Sequence, residues 1–555
     1  MRPAAALMLT GLTGLSMLAG CRSPLGPGSS TWTPAMDRLR TIEPVQLESF
    51  VAGAPQSVAE GLARLDERVA GVASETAGTS AETTGTMPLR LEDVRAASLA
   101  HNLELDVRRV DPELATQRIR EARARFEAVF NGGVRWSRTD QAVALATEGA
   151  QSETLSFDVG VSAPLRSGAD VSLTIPVVEN KTNNPFSLLN PATSADVRFQ
   201  IRQPLLRGAG TFVNTYDLQV ARLESDVTAT QTRLAATRVL AEADRAYWRH
   251  YAARRNLDVT VQQLELAREQ EARARRRVAA QTAAEVEILR AQSGVAERVE
   301  AVIVAENALR RQRRDLKRIM NRPDLPQAGS ATLEPATEPE PVGLELDADR
   351  LVELALDRRM ELLEFEIRLA IDRKTIELRR NERLPQLTLD YTYNINGLGR
   401  SYNEAFDQLP PRSFDDWSVG LQASVPIGNE AARSRYEQAL LSRLQRLATR
   451  EQRVSAITGE VLDATDAVEQ AWLRILAARR EVQLAGRTLE AEERQFEVGL
   501  RTSTDVLDAA SRLALASFRE IQAITDYQVS QVDLAFATGT VLGFTGIEWM
   551  DAGER

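Results

Sequence analysis

The sequence repeats itself once over long distances, and this constrains the fold more than any other feature. The aligned segments are 98–105 with 355–362 at an offset of 257, 247–255 with 472–480 at 225, and 287–291 with 505–509 at 218. The last two offsets differ by seven residues, and an insertion of one heptad leaves the packing face of a helix unchanged. The chain is therefore a tandem duplication rather than a solenoid of many short repeats.

Each half is predicted to run as a helix, several strands, a very long helix and a final helix. The long helices near 212–280 and 429–497 would each extend about 100 Å at 1.5 Å per residue. Apolar side chains fall every seven residues along the second one, at Val461, Val468, Ile475, Val482, Leu489 and Phe496, with alanines three positions later. A sustained period of 3.5 residues predicts left-handed coiled-coil packing.

The strand segments alternate strictly between apolar and polar residues. They are centred on 155–161, 171–175, 197–201, 387–395 and 417–425, and a weaker segment at 134–136 would make six. Their lengths, about 9 to 11 residues, suit transmembrane β-strands. A soluble sandwich is the alternative, but it needs two facing sheets. Because so few strands cannot close a barrel and open edges cannot face lipid, a membrane-spanning sheet would require several chains to share one barrel.

Composition excludes several functional classes. The 555 residues carry a net charge of −10, which argues against a nucleic-acid-binding surface. With 2 His and 1 Cys, the chain offers no Cys/His catalytic set, zinc site or disulfide framework. His101 and His250 are interpreted as structural. The sequence thus predicts neither an enzyme nor a bound cofactor or metal.

The N-terminus reads as a secretory signal over residues 1–20, with Arg2 before an apolar run. It ends in Leu18-Ala19-Gly20-Cys21, which resembles the lipobox of bacterial lipoproteins. The resemblance implies lipidation of Cys21, and Arg22 after it implies sorting to the outer membrane. An ordinary signal peptide followed by a stray cysteine is the alternative.

Breaks in composition divide the rest of the chain. The expected regions are a flexible tether at 21–88, a first repeat at 89–322 with strands at about 131–204, a Pro/Glu-rich linker at 323–343, a second repeat at 344–543 with strands at about 386–427, and a C-terminal tail at 544–555.

Several local motifs, in this order and spacing, resemble the TolC-like outer-membrane efflux channels over roughly residues 90–543. They are QPLLRG at 203–208, VPIG at 425–428, VGLRT at 498–502, DVLDA at 505–509 and the ending at 534–539. The resemblance implies a mainly α fold with a membrane β-barrel part. Three copies would form a 12-stranded outer-membrane barrel continued by an α-helical barrel across the periplasm.

The resemblance also implies the function. Such a channel is the passive outer-membrane exit of a tripartite efflux or type I secretion system, and it works with a periplasmic adaptor protein and an inner-membrane transporter. A lipid-anchored coiled-coil scaffold without a pore is the alternative. Two extra strands near 140–178 depart from the family pattern, so a trimer would form either a wider barrel or a standard barrel with a hairpin outside it.

Site residues carry over by position. Asp505 and Asp508 match aspartates that line the narrow periplasmic mouth, although acids in the first turn of a helix capped by Ser503 or Thr502 would give the same pattern. Arg501 matches an arginine that ties neighbouring helices closed there, with Glu287 as its acidic partner. Phe496 replaces a family tyrosine.

The adaptor-docking tip carries over onto Val498, Gly499, Leu500 and Thr502. The first-half tip at 280–284 lacks the glycine. On the strands, Asp390, Asn394 and Asn396 alternate with apolar residues and are expected to face the lumen, the alternative being the wet face of a soluble sheet.

Overall fold

The computed structural model describes residues 64–65, 67, 69–72, 86–143, 149–329, 331–498 and 500–547. The expected signal, Cys21, most of the expected tether, Gly499 and the last residues of the tail lie outside these ranges. Residues from Val69 onward belong to one compact unit.

The first repeat runs from a short strand to a long helical hairpin. Its elements are β1 (Thr86–Leu89), α1 (Leu91–His101), α2 (Leu103–Ala124), β2 (Val129–Asp140), β3 (Gln151–Pro164), β4 (Asp170–Thr182), β5 (Ala192–Pro204), α3 (Thr211–Asn214), α4 (Tyr216–Ala279) and α5 (Val286–Met320).

The second repeat follows the same plan with fewer strands. Its elements are β6 (Thr332–Pro335), α6 (Ala348–Arg358), α7 (Met360–Glu382), β7 (Gln386–Gly399), α8 (Tyr402–Asp407), β8 (Asp415–Ser424), α9 (Glu430–Glu497), α10 (Ser503–Ala537) and α11 (Val541–Thr545).

The two long helices are present where the sequence predicted them: α4 has 64 residues and α9 has 68. Toward the turns that end the hairpins, α5, α4, α10 and α9 pack side by side, and toward the sheet α2, α4, α7 and α9 do so. The heptad positions Val461, Val468 and Ile475 of α9 are fully buried. None of the described helices is long and apolar enough to cross a membrane.

The sheet has six strands, all antiparallel, in the order β2-β3-β4-β5-β7-β8. The weak segment at 134–136 is the middle of β2, so the prediction of a sixth strand is confirmed. The strands have 10 to 14 residues, longer than the apolar alternation suggested, because polar residues at both ends continue the pairing.

The register places apolar side chains on one face of the sheet. One cross-strand row is Val134, Phe157, Val177, Ala195 and Gly397. The rows on either side of it face the opposite way and are mostly polar, with Asp158 and Asn396 in one row and Arg135 and Ser194 in the other. Both edge strands, β2 and β8, are exposed along their whole lengths.

Two short strands differ from the expected tether and linker. β1, at the end of the expected tether, pairs in parallel with β6, in the middle of the expected linker. Leu89 and Leu333 are buried and pack with Tyr247 and Trp248 of α4. Prolines prevented a helix there, as the sequence indicated, but Pro335 is compatible with an edge strand.

The duplication extends to single backbone angles. Asn102 joins α1 to α2 with φ −68° and ψ 123°, and Arg359 joins α6 to α7 with φ −67° and ψ 121°. The final helices end in the left-handed region at Asn321 (φ 43°) and Gly539 (φ 72°), which are separated by the sequence offset of 218.

Candidate functional site

The tips of the two helical hairpins differ in how the second helix begins. α5 starts without a side-chain cap after residues 280–285, where Gln281 has φ 57°. α10 starts with a capping box: the Thr502 hydroxyl accepts from the Asp505 amide, and the Asp505 carboxylate accepts from the Thr502 amide at 2.9 Å. The second tip is therefore the better defined of the two.

The candidate mouth carboxylates have different environments. Asp505 is half-buried in the capping box, and hydrogen bonds from the Thr502 amide and hydroxyl lower the pKa of its carboxyl below the ordinary value. Asp508 lies one turn further along the same face and is exposed. Helix capping accounts for Asp505, and it does not account for Asp508.

Arg501 pairs within its own hairpin. Its Nε lies 3.1 Å from Glu492 Oε2 and donates to Gln495 Oε1 at 3.0 Å, both on the last turns of α9. Glu287, the partner expected from the resemblance, forms an ion pair with Arg290 of its own helix at 2.9 Å. Glu492 and Gln495 were missed because the sequence alone does not show how far the turn folds Arg501 back onto α9.

A cation–π contact joins the ends of the two hairpins. The Arg277 guanidinium, in the last turn of α4, lies 4.8 Å from the ring centroid of Phe496, in the last turn of α9. Phe496 is buried. The phenylalanine that replaces the family tyrosine thus packs through its ring.

The remaining tip residues form an exposed apolar end. Val498 is 71% exposed and Leu500 is 76% exposed, and the Leu500 amide closes the turn on the Gln495 carbonyl at 2.9 Å. Thr502 is exposed as well.

The polar face of the sheet carries a cross-strand network of charged and amide side chains. Arg198 donates to Asn394 at 3.0 Å, and Asn394 and Asn396 both donate to Asp416, at 2.7 and 2.8 Å. Four residues closer to the helices on the same face, Arg202 pairs with Asp390 at 2.7 Å. The three residues expected on one wet face therefore do share it, together with two arginines and Asp416.

The turn between β3 and β4 is fitted against the point where the chain leaves the sheet for the helices. The Gly210 amide donates to the Ser167 carbonyl at 3.1 Å. Gly168 has φ 92°, and a Cβ there would lie 2.4 Å from Asn214 Nδ2 and 2.6 Å from the Gly208 carbonyl oxygen. This turn accepts glycine alone, both for its conformation and for the close approach.

Residues 351–540 match the family model described as outer membrane efflux protein. The second repeat therefore resembles this family over nearly its whole length. The resemblance to the TolC-like family is confirmed by this match and by a curated relative. That relative, the outer membrane protein TolC of Vibrio cholerae, is 30% identical over 198 residues, which are 35% of this chain and 44% of TolC. The matched part thus spans less than half of TolC.

Solved structures of two bacterial membrane proteins share the fold over most of the chain. A membrane protein from Pseudomonas aeruginosa superposes with a TM-score of 0.62 at 20% identity, covering 81% of this chain and 93% of that one. The CmeC outer membrane channel of Campylobacter jejuni gives a TM-score of 0.60 at 15% identity, covering 84% and 88%. At these identities the likeness establishes the fold.

Proposed function

We propose that three copies of this chain form an outer-membrane channel through which an inner-membrane transporter, joined by a periplasmic adaptor protein, expels small molecules or proteins. The observation that carries the proposal is the sheet: one apolar face, one charged face and two open edges, attached to helical hairpins about 100 Å long. An apolar outer face and a polar inner face are what a water-filled barrel in lipid needs.

The packed helices also have two open edges, as the sheet does, and these edges support assembly of several chains. Its two outer edges carry large apolar side chains that are exposed in the single chain. They are Leu441, Leu444, Leu462, Leu473, Leu476 and Leu484 on α9, and Leu103, Val107, Val110, Leu114, Leu289 and Val304 on α2 and α5. Exposed apolar stripes of this extent mark interaction surfaces, and opposite edges of identical chains can cover one another in a closed ring.

The narrow end of the channel lies, in this proposal, at the hairpin tips. Asp505 and Asp508 of three chains would bring six carboxylates around one axis. Arg501 would hold the start of α10 against α9 there through Glu492 and Gln495, and Glu287 would stabilise the start of α5 through Arg290. Val498 and Leu500, with Gly499 and Thr502, would present the exposed end to the adaptor. Lipidation at Cys21 would add an anchor in the outer membrane, and the channel would carry out no covalent chemistry.

Two measurements test the proposal. Native mass measurement of the detergent-purified protein should give three copies, and the trimer should conduct ions across a planar bilayer. A trimer that does not conduct would favour the scaffold lipoprotein instead, and a stable monomer would contradict the proposed channel. Cys21→Ser should abolish labelling by radioactive palmitate while leaving conductance intact, since the sheet itself would hold the membrane.

The mouth is tested by removing charge while keeping the helix cap. Asp505→Asn with Asp508→Asn retains a side-chain oxygen for the capping box, so the helix start should persist. We expect a lower cation preference and weaker block by multivalent cations, both most evident at low salt because the screening length is about 8 Å at physiological ionic strength. Asp526→Asn, on α10 but far from the tip, is the matched control. Unchanged selectivity in the double variant would remove these residues from the mouth.

A further inference from the structure

We propose that the barrel of this channel contains 18 strands rather than the 12 that the family resemblance implies, and that β2 of each subunit pairs with β8 of the next. The inference rests on the proposed trimeric channel. Six strands in each of three chains give this number, provided that all six are part of the barrel wall and that the two free edges fit each other.

The extra hairpin is part of the wall. β3 and β4 lie between β2 and β5, with unbroken pairing from β2 to β3 and from β3 to β4 along their lengths. The turn at their helical end is fixed against the exit from β5 by Gly168 and by the hydrogen bond from Gly210 to Ser167. A hairpin lying outside a smaller barrel would instead leave β2 next to β5.

The stagger of the sheet shows how its edges can meet. The cross-strand row that begins at Val129, the first residue of β2, passes through Ser162, Ser172, Gln200, Thr392 and Ser418. In β8 this row is six residues short of the helical end of the strand, Ser424. Across six strands the edges are therefore displaced by six residues.

If the barrel closes with the helical ends of all strands at the same height, this displacement sets the tilt of the strands. Six residues of about 3.3 Å over six strands spaced about 4.8 Å apart correspond to a strand tilt of about 35°. Closed barrels have tilts of about 35–45°. With that shift, all ten residues of β8 find partners in β2, because Val129 faces Ser424 and Arg138 faces Asp415.

Side chains across the new edge match in this register. β2 runs away from the helices and β8 runs toward them, so the pairing is antiparallel, as in the rest of the sheet. On the apolar face Val134 would lie opposite Val419 and Trp136 opposite Trp417, all of them exposed in the single chain. Arg138 opposite Asp415 gives a pair of opposite charge at the loop end.

A neighbouring register is less favourable. A further shift by two residues keeps the apolar faces aligned, but it places Asp140 opposite Asp415, and like charges directly opposite are destabilising. An 18-stranded barrel would be about half again as wide as a 12-stranded one, because barrel diameter grows roughly linearly with strand number. The exit would then admit bulkier cargo than the 12-stranded form.

Cross-linking tests the edge pairing. Val134→Cys with Val419→Cys, in a Cys21→Ser background that removes the only other thiol, places both thiols on opposite edges of one sheet. These edges are about 24 Å apart across five strand spacings in a flat sheet, so a short thiol-specific reagent should join different subunits and yield covalent trimers on denaturing gels. Val134→Cys with Ala423→Cys, displaced by four residues or about 13 Å, is the matched control and should react at least tenfold less.

Different results would contradict the register and the strand number. Preferred cross-linking of the displaced pair, or none in either variant, would overturn the pairing. Cryo-electron microscopy of the full-length trimer in nanodiscs should show 18 strands, and removing residues 151–182 should reduce them to 12, since β2 and β5 are antiparallel. A conducting trimer with 12 strands and an outlying hairpin would overturn this inference alone, whereas a monomer without conductance would overturn the proposed function as well.

Discussion

Asn102 in the first repeat and Arg359 in the second stand at the same bend with nearly the same backbone angles, yet they hold it by different chemistry. Asn102 accepts from the Glu104 and Leu105 amides and donates to the Ile319 carbonyl at 3.0 Å. Asn102 donates to the end of α5, and Arg359 donates to the end of α10. These are the final helices of the two repeats, and their last carbonyls have no partners within the helix.

Arg359 does this with a buried charge. It is 3% exposed, donates to the Ala537 carbonyl at 3.1 Å, and forms ion pairs with Glu361 at 3.1 Å and Glu460 at 2.6 Å. Arg453 joins the same two glutamates. The first repeat keeps its buried ion pair elsewhere, between Arg95 and Asp244 at 2.7 Å. The two repeats therefore share the backbone path of the bend, but they satisfy its polar groups with different side chains, a neutral amide in the first and a paired charge in the second.

The largest effect is expected at Arg359. Arg359→Ala leaves Glu361 and Glu460 without their central cation and removes a donor from the end of α10, which should lower the free energy of unfolding by about 3 kcal/mol. Arg359→Asn copies the first repeat and can cap α7, so it should recover about 1 kcal/mol of that loss. Thermal unfolding followed by circular dichroism measures both, with exposed Arg358→Ala as the control. Equal losses for Ala and Asn would show that the two bends are not interchangeable.

A second contrast concerns acid. His250 is buried in the first repeat, with Nε2 3.0 Å from the Leu333 carbonyl oxygen, and burial lowers its pKa to about 4. At the offset of 225 the second repeat has Ile475, also fully buried. Below pH 6.5 the side chain of His250 binds a proton in the unfolded chain, whereas in the folded chain it stays neutral down to about pH 4. Stability should therefore fall by about 3 kcal/mol over this window.

The control for this prediction is His250→Gln, which keeps a hydrogen-bond donor for Leu333 but cannot titrate in the window. The difference in unfolding free energy between the two proteins should shrink or reverse as the pH drops from 6.5 to 4. Parallel pH profiles for wild type and variant would contradict a buried, neutral histidine.

A smaller effect is expected at the first bend. Asn102→Ala removes the cap of α2 and the hydrogen bond to α5, but it leaves no charged group without a partner. It should therefore lower the free energy of unfolding by about 1–2 kcal/mol. The same unfolding measurement, set beside Arg359→Ala, reports directly how much the buried charge adds. A loss at Asn102 as large as that at Arg359 would remove the distinction between the two repeats.

The smallest effect is expected at the tips. Thr502→Ala breaks the capping box of α10 and should cost about 0.5–1 kcal/mol, because the site is exposed. Ala284→Ser, beside the uncapped start of α5, should change stability by only a few tenths of a kcal/mol. Hydrogen exchange of the first turns of α5 and α10 resolves this difference, and faster exchange in α10 of the wild type would be the opposite of what we expect.

Much of the fold could be predicted because its signals are periodic. The heptads of α9 and the alternation of β7 follow from which side chains are buried. The offsets of 257 and 218 relate the two bends and the two helix ends, although only the structure shows that these features are there. The pairing of β1 with β6 could not be predicted, since four residues next to prolines carry no periodicity. The Pro/Glu-rich composition of the linker hid the fact that Leu333 is part of the core.

The tips were predictable in position but not in pairing. Thr502 followed by Asp505 is a local pattern, and the capping alternative drawn from it agrees with the structure. The partners of Arg501 and Phe496 depend on how a turn folds and on how two hairpins meet, and neither is encoded in spacing. The role of Asp508 at a mouth stays a prediction, because it depends on copies of the chain around it.

The parallel pairing of β1 with β6 also has a mechanical meaning. A pull on the chain ahead of Thr86 acts along the axis of β1, so it loads the hydrogen bonds to Thr332–Pro335 together in shear rather than peeling them one at a time. We therefore expect tension from the N-terminal side to act first on the segment between the two repeats, close to Tyr247, and only then on the long helical hairpins. In this arrangement the β1–β6 pair would act as a mechanical clamp between an N-terminal load and the long helices.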